Sequence, residues 1–581
     1  MSVVCDSLRE TSKMQIEESR RLTGPNLFTT APGAICDVIV ASEHRLTLVK
    51  AWHDHARLLL DALGWQASVC FDRTHDTGVS LMLTAPIDCL YAATDVNEAA
   101  FERARCELEG ADMPDISASL GALAALIAEE RNPALLALQS AAEQHNAPFL
   151  VDDDDVSIGY GANATTWPVT APPDPAQVDW QRAGRYGDMP VALVTGTNGK
   201  STTVRLAAAI IAADRRVAGI TSTDYIRVGD DVVDSGDYSG PGGARQLLRH
   251  PQTGVALLEV ARGGMLRRGL GATNADVALI TNVAADHLGE YGIHTVAELR
   301  DAKFVVRQGL APGKPLILNA DDAGVVAYAK ALRGQRFVWF SEDTRNAVVA
   351  DHVAKGGDAF VLDEAQLCRI SAGTQHAIVP IADVPITLAG AARHNVQNAL
   401  AAAALCHALG CSDASIREGL LAFAGGPDEN PGRGNLFSGN GIQIVVDFAH
   451  NEHGLSAMAR TIAQMPAKRR LVLLGQAGDR SDTLIAGLTQ AALEAQPDAL
   501  VVCQLPGYER GRPADEVPQL IEQCALRAGV DAAAIHQAES PSAGTEFALQ
   551  WAQPGDVLLI LALSERNECI ALIEHALSSD Q

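Results

Sequence analysis

Cysteine pairs at motif spacing are missing from this chain. Its 11 cysteines, an odd number, are scattered over 581 residues with no Cys-x-x-Cys and no regular interval. That excludes a disulfide frame or a zinc ribbon and reads as buried thiols of a reducing compartment. Positive charge is also scarce. Lys and Arg number 45 against 71 Asp and Glu, a formal net charge of -26, which argues against sequence-independent DNA or RNA binding. A local basic pocket stays open, because bulk acidity bears on solubility more than on substrate. Long apolar runs are lacking too; Asp556 to Leu563 is only strand-sized, far too short to span a bilayer. Met1 to Arg21 is polar and has no signal-peptide core. The expectation is a cytoplasmic, soluble protein with neither nucleic acid nor membrane as a partner. Apolar material is plentiful: 47% hydrophobic against 20% charged residues supplies several cores. The length suggests about three or four domains at ~150 residues each.

The most informative stretch is Val191-Ala-Leu-Val-Thr-Gly-Thr-Asn-Gly-Lys-Ser-Thr-Thr203. An apolar β-former run enters a Gly-rich turn, and a helix-compatible segment, Val204 to Ala213, leaves it. That order wraps backbone N–H groups and a helix N-terminus around an anion, with Lys200 supplying charge and Ser201 a hydroxyl for Mg²⁺. The usual P-loop spacing needs a glycine at Val194, so this is a shorter Gly196-Thr-Asn-Gly-Lys-Ser201 form. It predicts ATP binding.

Alternation of β-rich and helical stretches divides the rest. Residues 1–164 read as an α/β or α+β module, with β runs at Cys36–Ala41 and Gly78–Leu83 and helical runs at Leu46–Leu63 and Asn97–Glu109. The tract Asp152–Asp155 reads as a solvated acidic turn, with a metal site as the alternative. Residues 165–188 are a linker, polar and Pro-rich from Thr165 to Gln181. In residues 189–424, strands are expected at Val191–Thr195, Val217–Thr221, Val255–Glu259, Val277–Thr281 and Leu316–Leu318. In residues 425–581 they are expected at Ile442–Asp447, Leu471–Leu474, Ala499–Cys503 and Val557–Leu561. Such alternation predicts parallel sheets flanked by helices, with ligands at the carboxyl ends of the strands.

Several polar residues stand at those ends. Glu259 closes its strand, Asp286 and His287 follow the strand ending near Thr281, and Lys303 lies in a helix-like run from near Thr295. Each alone has a bland account as a strand-end, satisfied or solvated residue. Together, after a P-loop and in this order, they supply Mg²⁺ ligands and positive charge.

Seven segments then add up to a family. Thr195-Gly-Thr-Asn-Gly-Lys-Ser-Thr202, Thr281-Asn-Val-Ala-Ala-Asp-His287, Ala302-Lys303, Asn319-Ala-Asp-Asp322, Gly390-Ala-Ala-Arg-His-Asn-Val-Gln-Asn398, Pro431-Gly-Arg433 and Asp447-Phe-Ala-His450 resemble Mur ligases in their expected order. These are ATP-dependent amide-bond-forming enzymes. Glu259-Val-Ala-Arg-Gly-Gly-Met-Leu-Arg-Arg-Gly-Leu270, Gly236-Asp-Tyr-Ser-Gly-Pro241, Gly478-Asp-Arg480 and Glu509-Arg-Gly-Arg512 resemble the Mur ligase half of cyanophycin synthetases more closely. Leu22-Thr-Gly-Pro-Asn26 and Ile158-Gly-Tyr-Gly161 resemble, more weakly, the N-terminal domain of those enzymes. The ATP-grasp domain that stands between the two parts in those enzymes is replaced here by the linker. The resemblance implies a three-domain α/β chain: an N-terminal module, a central P-loop parallel-sheet ATPase domain and a C-terminal Rossmann-like domain.

It also implies roles. Gly196, Thr197, Asn198, Gly199, Lys200 and Ser201 would hold the β/γ-phosphates, with Thr202 and Asn282 beside them. Ser201 and Glu259 would take one Mg²⁺ and His287 a second. Lys303 matches a lysine that is often carbamoylated and then lends a carboxylate to the second metal; the unmodified lysine is the alternative. Asn395, Arg433 and Asp447 would grip adenine and ribose at the domain junction, an ordinary interdomain salt bridge being the other reading of the last two. His450, Asp479 and Arg480 would lie near the incoming amine. Arg262, Arg267 and Arg268 are candidates for the acceptor carboxylate, which suits bidentate guanidinium, with Asp237 and Ser239 in the same cleft; a solvated basic loop is the alternative.

The expected activity joins an amino acid or amine to a carboxylate on an aspartate-containing peptide or cyanophycin-related substrate, through an acyl phosphate. A separate ATP-grasp enzyme and a homo-oligomer are expected as partners. Against this stand a non-catalytic nucleotide-binding subunit and a P-loop kinase. Intact Lys200, Glu259, His287, Lys303 and Asp447 count against the first. The Pro-Gly-Arg and Asp-x-Ala-His segments count against the second.

Overall fold

A computed structural model describes residues 14–578. Cys5 and much of the polar run from Met1 therefore lie outside the described residues. The ten described cysteines are free thiols, and only Cys70 is partly exposed. No helix among the described residues is long and apolar enough to cross a membrane.

The central unit is built on an 11-stranded sheet. Seven neighbouring strands run parallel in the order Ala218–Thr221, Val255–Glu259, Val191–Thr195, Val277–Ile280, Pro315–Asn319, Arg336–Ser341 and Asp358–Asp363. Antiparallel strands extend both ends. Every residue of Val191–Thr195 and Val255–Glu259 is buried, which is why these strands read as continuous apolar runs. Alternate side chains feed two cores. Ala192 and Val194 pack with helices Lys200–Ala213 and Arg393–Ala408. Val191 and Leu193 pack with Leu247, Met265 and Leu299 from helices on the opposite face.

Val191–Thr195 lies between Val255–Glu259 on one side and Val277–Ile280 on the other. The chain visits one side before turning to the other, so the crevice at the carboxyl end of Val191–Thr195 is a topological switch point. The C-terminal unit repeats the logic with six strands. All its pairings are parallel except that of Arg433–Gly439 with Ile442–Asp447.

The N-terminal unit differs. Four antiparallel strands, ordered Gln15–Leu22, Gly33–Ile39, Gly78–Thr84, Cys70–His75, carry helices Arg45–Ala62 and Leu90–Glu109. Of the two arrangements left open by the sequence, this is α+β. Its core is pinned by buried Asn97, which accepts from the Trp52 indole at 2.9 Å and donates to the Leu81 carbonyl at 2.9 Å. The stretch expected as a linker opens with a strand, Thr165–Pro168, paired with Asp155–Ile158. Trp167, Val169 and Trp180 then pack on a small core around Leu138 and Val156, so apolar anchors order this Pro-rich segment. The Asp152–Asp155 turn is a docking point: Asp152 pairs with Arg249 of the central unit.

Candidate active site

A cleft of about 790 Å³ opens where the central and C-terminal units meet. Gly196, Thr197, Asn198, Gly199, Lys200 and Ser201 form one wall. The turn has the shape an anion cradle needs. Gly199 sits at φ +85° and Gly196 at φ +152°, and a Cβ on either would collide with Asn398 or Thr281 side-chain oxygens. Helix Lys200–Ala213 starts directly behind, so its unsatisfied N–H groups face the cleft. The Lys200 ammonium rests on the Thr197 carbonyl at 3.0 Å. The Ser201 hydroxyl lies 3.4 Å from that of Thr223.

Glu259 is the most telling residue. It is 2% exposed, and neither carboxylate oxygen has a hydrogen-bond partner among the described residues. A buried carboxylate left bare is costly unless a cation or donor completes it. Lys303 is 3% exposed and donates to the Gly196 carbonyl at 2.8 Å. Burial, reinforced by Lys200, pushes its amine well below the usual lysine range.

Asp286, His287 and His450 bring ligand atoms within 4.8 Å of one another. His287 holds a left-handed backbone, φ +48°, a strained conformation for a side-chain-bearing residue that clusters at functional sites. Burial lowers its imidazole to about 4, and Arg480 donates to its Nε2 at 3.2 Å. Burial opposes ionisation of Asp286, yet His450, His287 and Arg480 hold it well below the carboxylate range.

Asp237, Ser239, Arg262, Arg267, Arg268 and Asp479 line the same cleft, as do Arg433 and His450. Arg262 pairs with Glu290. Arg267 reaches the Tyr291 hydroxyl at 3.2 Å. Ser239 donates to Asp237 at 2.6 Å. Arg480 is not among the residues lining the cleft; its guanidinium packs behind, on His287 and Asp286.

A smaller hollow of about 90 Å³ adjoins the phosphate turn, lined by Thr202, Asn282, Asn395, Arg433 and Asp447. Asn282 Oδ1 accepts from the Asn198 backbone N–H at 3.0 Å and stiffens the turn. The Asn395 amide is already engaged, donating to the Ile386 carbonyl and accepting from Asn398, both at 3.0 Å. Burial raises Asp447 to about 6 against the opposing pull of Arg433.

Asp224, Arg205, Arg566 and Asn451, at the junction, escaped the sequence reading. Asp224 gathers Arg205 at 2.5 Å, Arg566 at 3.0 Å and Arg433 at 4.0 Å. Burial works against its charge, but these guanidiniums keep it low. Arg566 begins the last helix and stands 342 positions from Asp224, so no local pattern could join them. Asn451 exchanges amide hydrogen bonds with Asn198, each 3.1 Å. Its only sequence signal was its place beside His450.

Residues 194–406 match the Mur ligase middle domain, and residues 432–562 match the Mur ligase, glutamate ligase domain. A cyanophycin synthetase of Nostoc sp. is 34% identical over 391 residues, covering 67% of this chain and 42% of that protein. The chain thus spans less than half the length of that relative. A UDP-N-acetylmuramoyl-L-alanyl-D-glutamate--2,6-diaminopimelate ligase of Geobacillus kaustophilus is 29% identical over 383 residues, 63% of this chain and 72% of that enzyme. A solved bifunctional folylpolyglutamate synthase/dihydrofolate synthase with Mn, AMPPNP and L-glutamate bound aligns at TM-score 0.49 and 21% identity, covering 66% of this chain and 89% of its own.

Proposed function

Because residues 194–406 and 432–562 belong to the Mur ligase family, we propose that this chain is an ATP-dependent amide ligase. It activates a carboxylate as an acyl phosphate and joins it to an amino acid or amine, releasing ADP and phosphate. The observation that carries this reading is bare Glu259, buried beside the phosphate turn and Lys303.

The donor set fits Mg²⁺ and a triphosphate. Ser201 and Glu259 offer hard oxygen ligands at one end of the cleft, and Asp286, His287 and His450 offer a second group. The metal ions, when bound, neutralise charge on the transferring phosphoryl group. The chain's own residues do the rest. Backbone N–H groups of the turn and Lys200 orient the phosphates; Arg433 adds charge from the C-terminal unit. Asp447 accepts from the ribose hydroxyls. Arg262, Arg267 and Arg268 hold the acceptor carboxylate, with Asp237 and Ser239 beside it. The neutral Lys303 amine is the form that adds CO₂, giving a carbamate and a proton, and the modified side chain then carries a ligand oxygen. Closure between the two units keeps water from the acyl phosphate.

The acceptor we favour is an aspartate-containing peptide, with a separate ATP-grasp enzyme as its source. The test is ADP release from purified protein with ATP, Mg²⁺ and panels of carboxylates and amino acids. Release that needs both partners supports the ligase. A stable phosphorylated product would indicate a kinase, and absence of turnover a nucleotide-binding subunit.

A further inference from the structure

A second cavity, of about 390 Å³, lies between the N-terminal and central units. The catalytic cleft reaches Arg268, and this cavity begins at Leu270, on the next turn of chain. Phe149, Leu150, Val151, Leu270 and Ala272 give it apolar walls. One cation faces it: Arg245, on the helix Pro241–Arg249 and 8% exposed.

That guanidinium is poorly compensated. Among the described residues its one side-chain hydrogen bond runs to the Thr23 hydroxyl at 2.6 Å, and no carboxylate forms an ion pair with it. The two acids nearest it, Asp152 and Asp153, are already engaged, and Glu143 stands on the cavity wall as an exposed carboxylate. Asp152 is held by Arg249, and Asp153 by two hydrogen bonds from Arg21 at 2.8 and 3.2 Å. Burial lowers Arg245 to about 10, the mark of a charge removed from water. An unpaired buried cation is costly, and an anion arriving in the cavity relieves it.

The chemistry selects the anion. A single guanidinium fork matches one carboxylate, whereas a phosphate site gathers several donors. Apolar walls suit a carbon skeleton behind that carboxylate. The volume lies in the small-ligand range and takes roughly two or three amino-acid residues. We propose that this cavity binds a short carboxylate-bearing peptide, with Arg245 taking the carboxylate. Thr23 connects the site to the cleft, because it accepts from Arg245 and donates to the Arg268 carbonyl through both its hydroxyl, at 3.1 Å, and its N–H, at 2.8 Å. Occupancy therefore bears on the arginine-rich helix. The site does not depend on the ligase reading, since binding and not turnover reports it.

Three probes test it by calorimetry on the full chain. Acetyl-trialanine with a free C-terminus carries a terminal carboxylate. Acetyl-Ala-Asp-Ala-amide carries one on a side chain, and acetyl-trialanine-amide carries none. At least one acid probe binds and the uncharged one does not; which acid binds more tightly identifies the carboxylate recognised. Arg245→Gln weakens that binding by roughly tenfold or more, while Arg345→Gln, at an exposed arginine that lines neither the cleft nor this cavity, binds as the wild type does. Thr30→Trp, at an exposed position on the cavity wall, obstructs the cavity without removing a buried charge and gives the same loss. Equal affinity in Arg245→Gln or Thr30→Trp, a parallel loss in Arg345→Gln, or no binding of either acid probe overturns the proposal.

Discussion

The two interfaces of the central unit contrast in how their charges are satisfied. Toward the N-terminal unit most side chains pair off: Arg249 with Asp152, Arg73 with Glu298 at 3.4 Å, and Arg20 Nε with the Leu266 carbonyl at 3.1 Å. Backbone bonds such as Leu270 N–H to the Pro25 carbonyl, 2.7 Å, tie the chains directly. Toward the C-terminal unit, groups are brought together and left incomplete. Glu259 has no partner, and one nitrogen each of Arg433, Arg480 and Arg566 has none. A satisfied interface fixes a position; an unsatisfied one awaits a ligand. The first side has single orphan nitrogens too, on Arg73 and His75, and an Arg245 without an ion pair, but among the described residues no buried carboxylate there is bare at both oxygens.

Substitutions can break that contrast. Glu259→Gln keeps the shape and removes the charge, so turnover falls by roughly 10²–10³-fold with little change in melting temperature. A large loss of stability with turnover retained would make Glu259 structural. Asp224→Asn strands Arg205, Arg433 and Arg566 around a neutral amide. Chemical denaturation then reports a loss of roughly 3 kcal/mol and earlier separation of the C-terminal unit. Arg249→Ala removes bonds to Asp152, to the Ser157 hydroxyl and to the Asp155 carbonyl. It costs about 1–3 kcal/mol and leaves nucleotide affinity unchanged; a fall in that affinity would erase the distinction between the interfaces.

The smallest effect is a pH dependence. Asp447, raised to about 6, is charged only above that pH, so its contribution to nucleotide binding grows as pH rises through 6 and then levels. Because the nucleotide itself titrates, the readout is the ratio of wild-type to Asp447→Asn affinity, which climbs across that window. A flat ratio removes Asp447 from the ribose site.

Sequence reading went furthest where chemistry is local. The phosphate turn sits between strand Val191–Thr195 and helix Lys200–Ala213, because an apolar run, two glycines and Lys-Ser are contiguous. Glu259 ends its strand as expected. The antiparallel pairing of the N-terminal unit was not legible, since alternation of strands and helices does not state which strands pair. Nor was the Asp224 cluster, whose arginines come from distant segments. The engaged Asn395 amide also lay beyond reach, because its partner Ile386 is set by tertiary packing.

The central claim is that a triphosphate is held jointly by the central and C-terminal units. Calorimetric titration of Mg–AMPPNP into wild type, Lys200→Ala and Arg433→Gln tests it most directly. The account predicts one site per chain, weakened by roughly tenfold or more in each variant. Wild-type affinity in Arg433→Gln, with Lys200→Ala alone impaired, would mean that the central unit binds the nucleotide unaided and would contradict it.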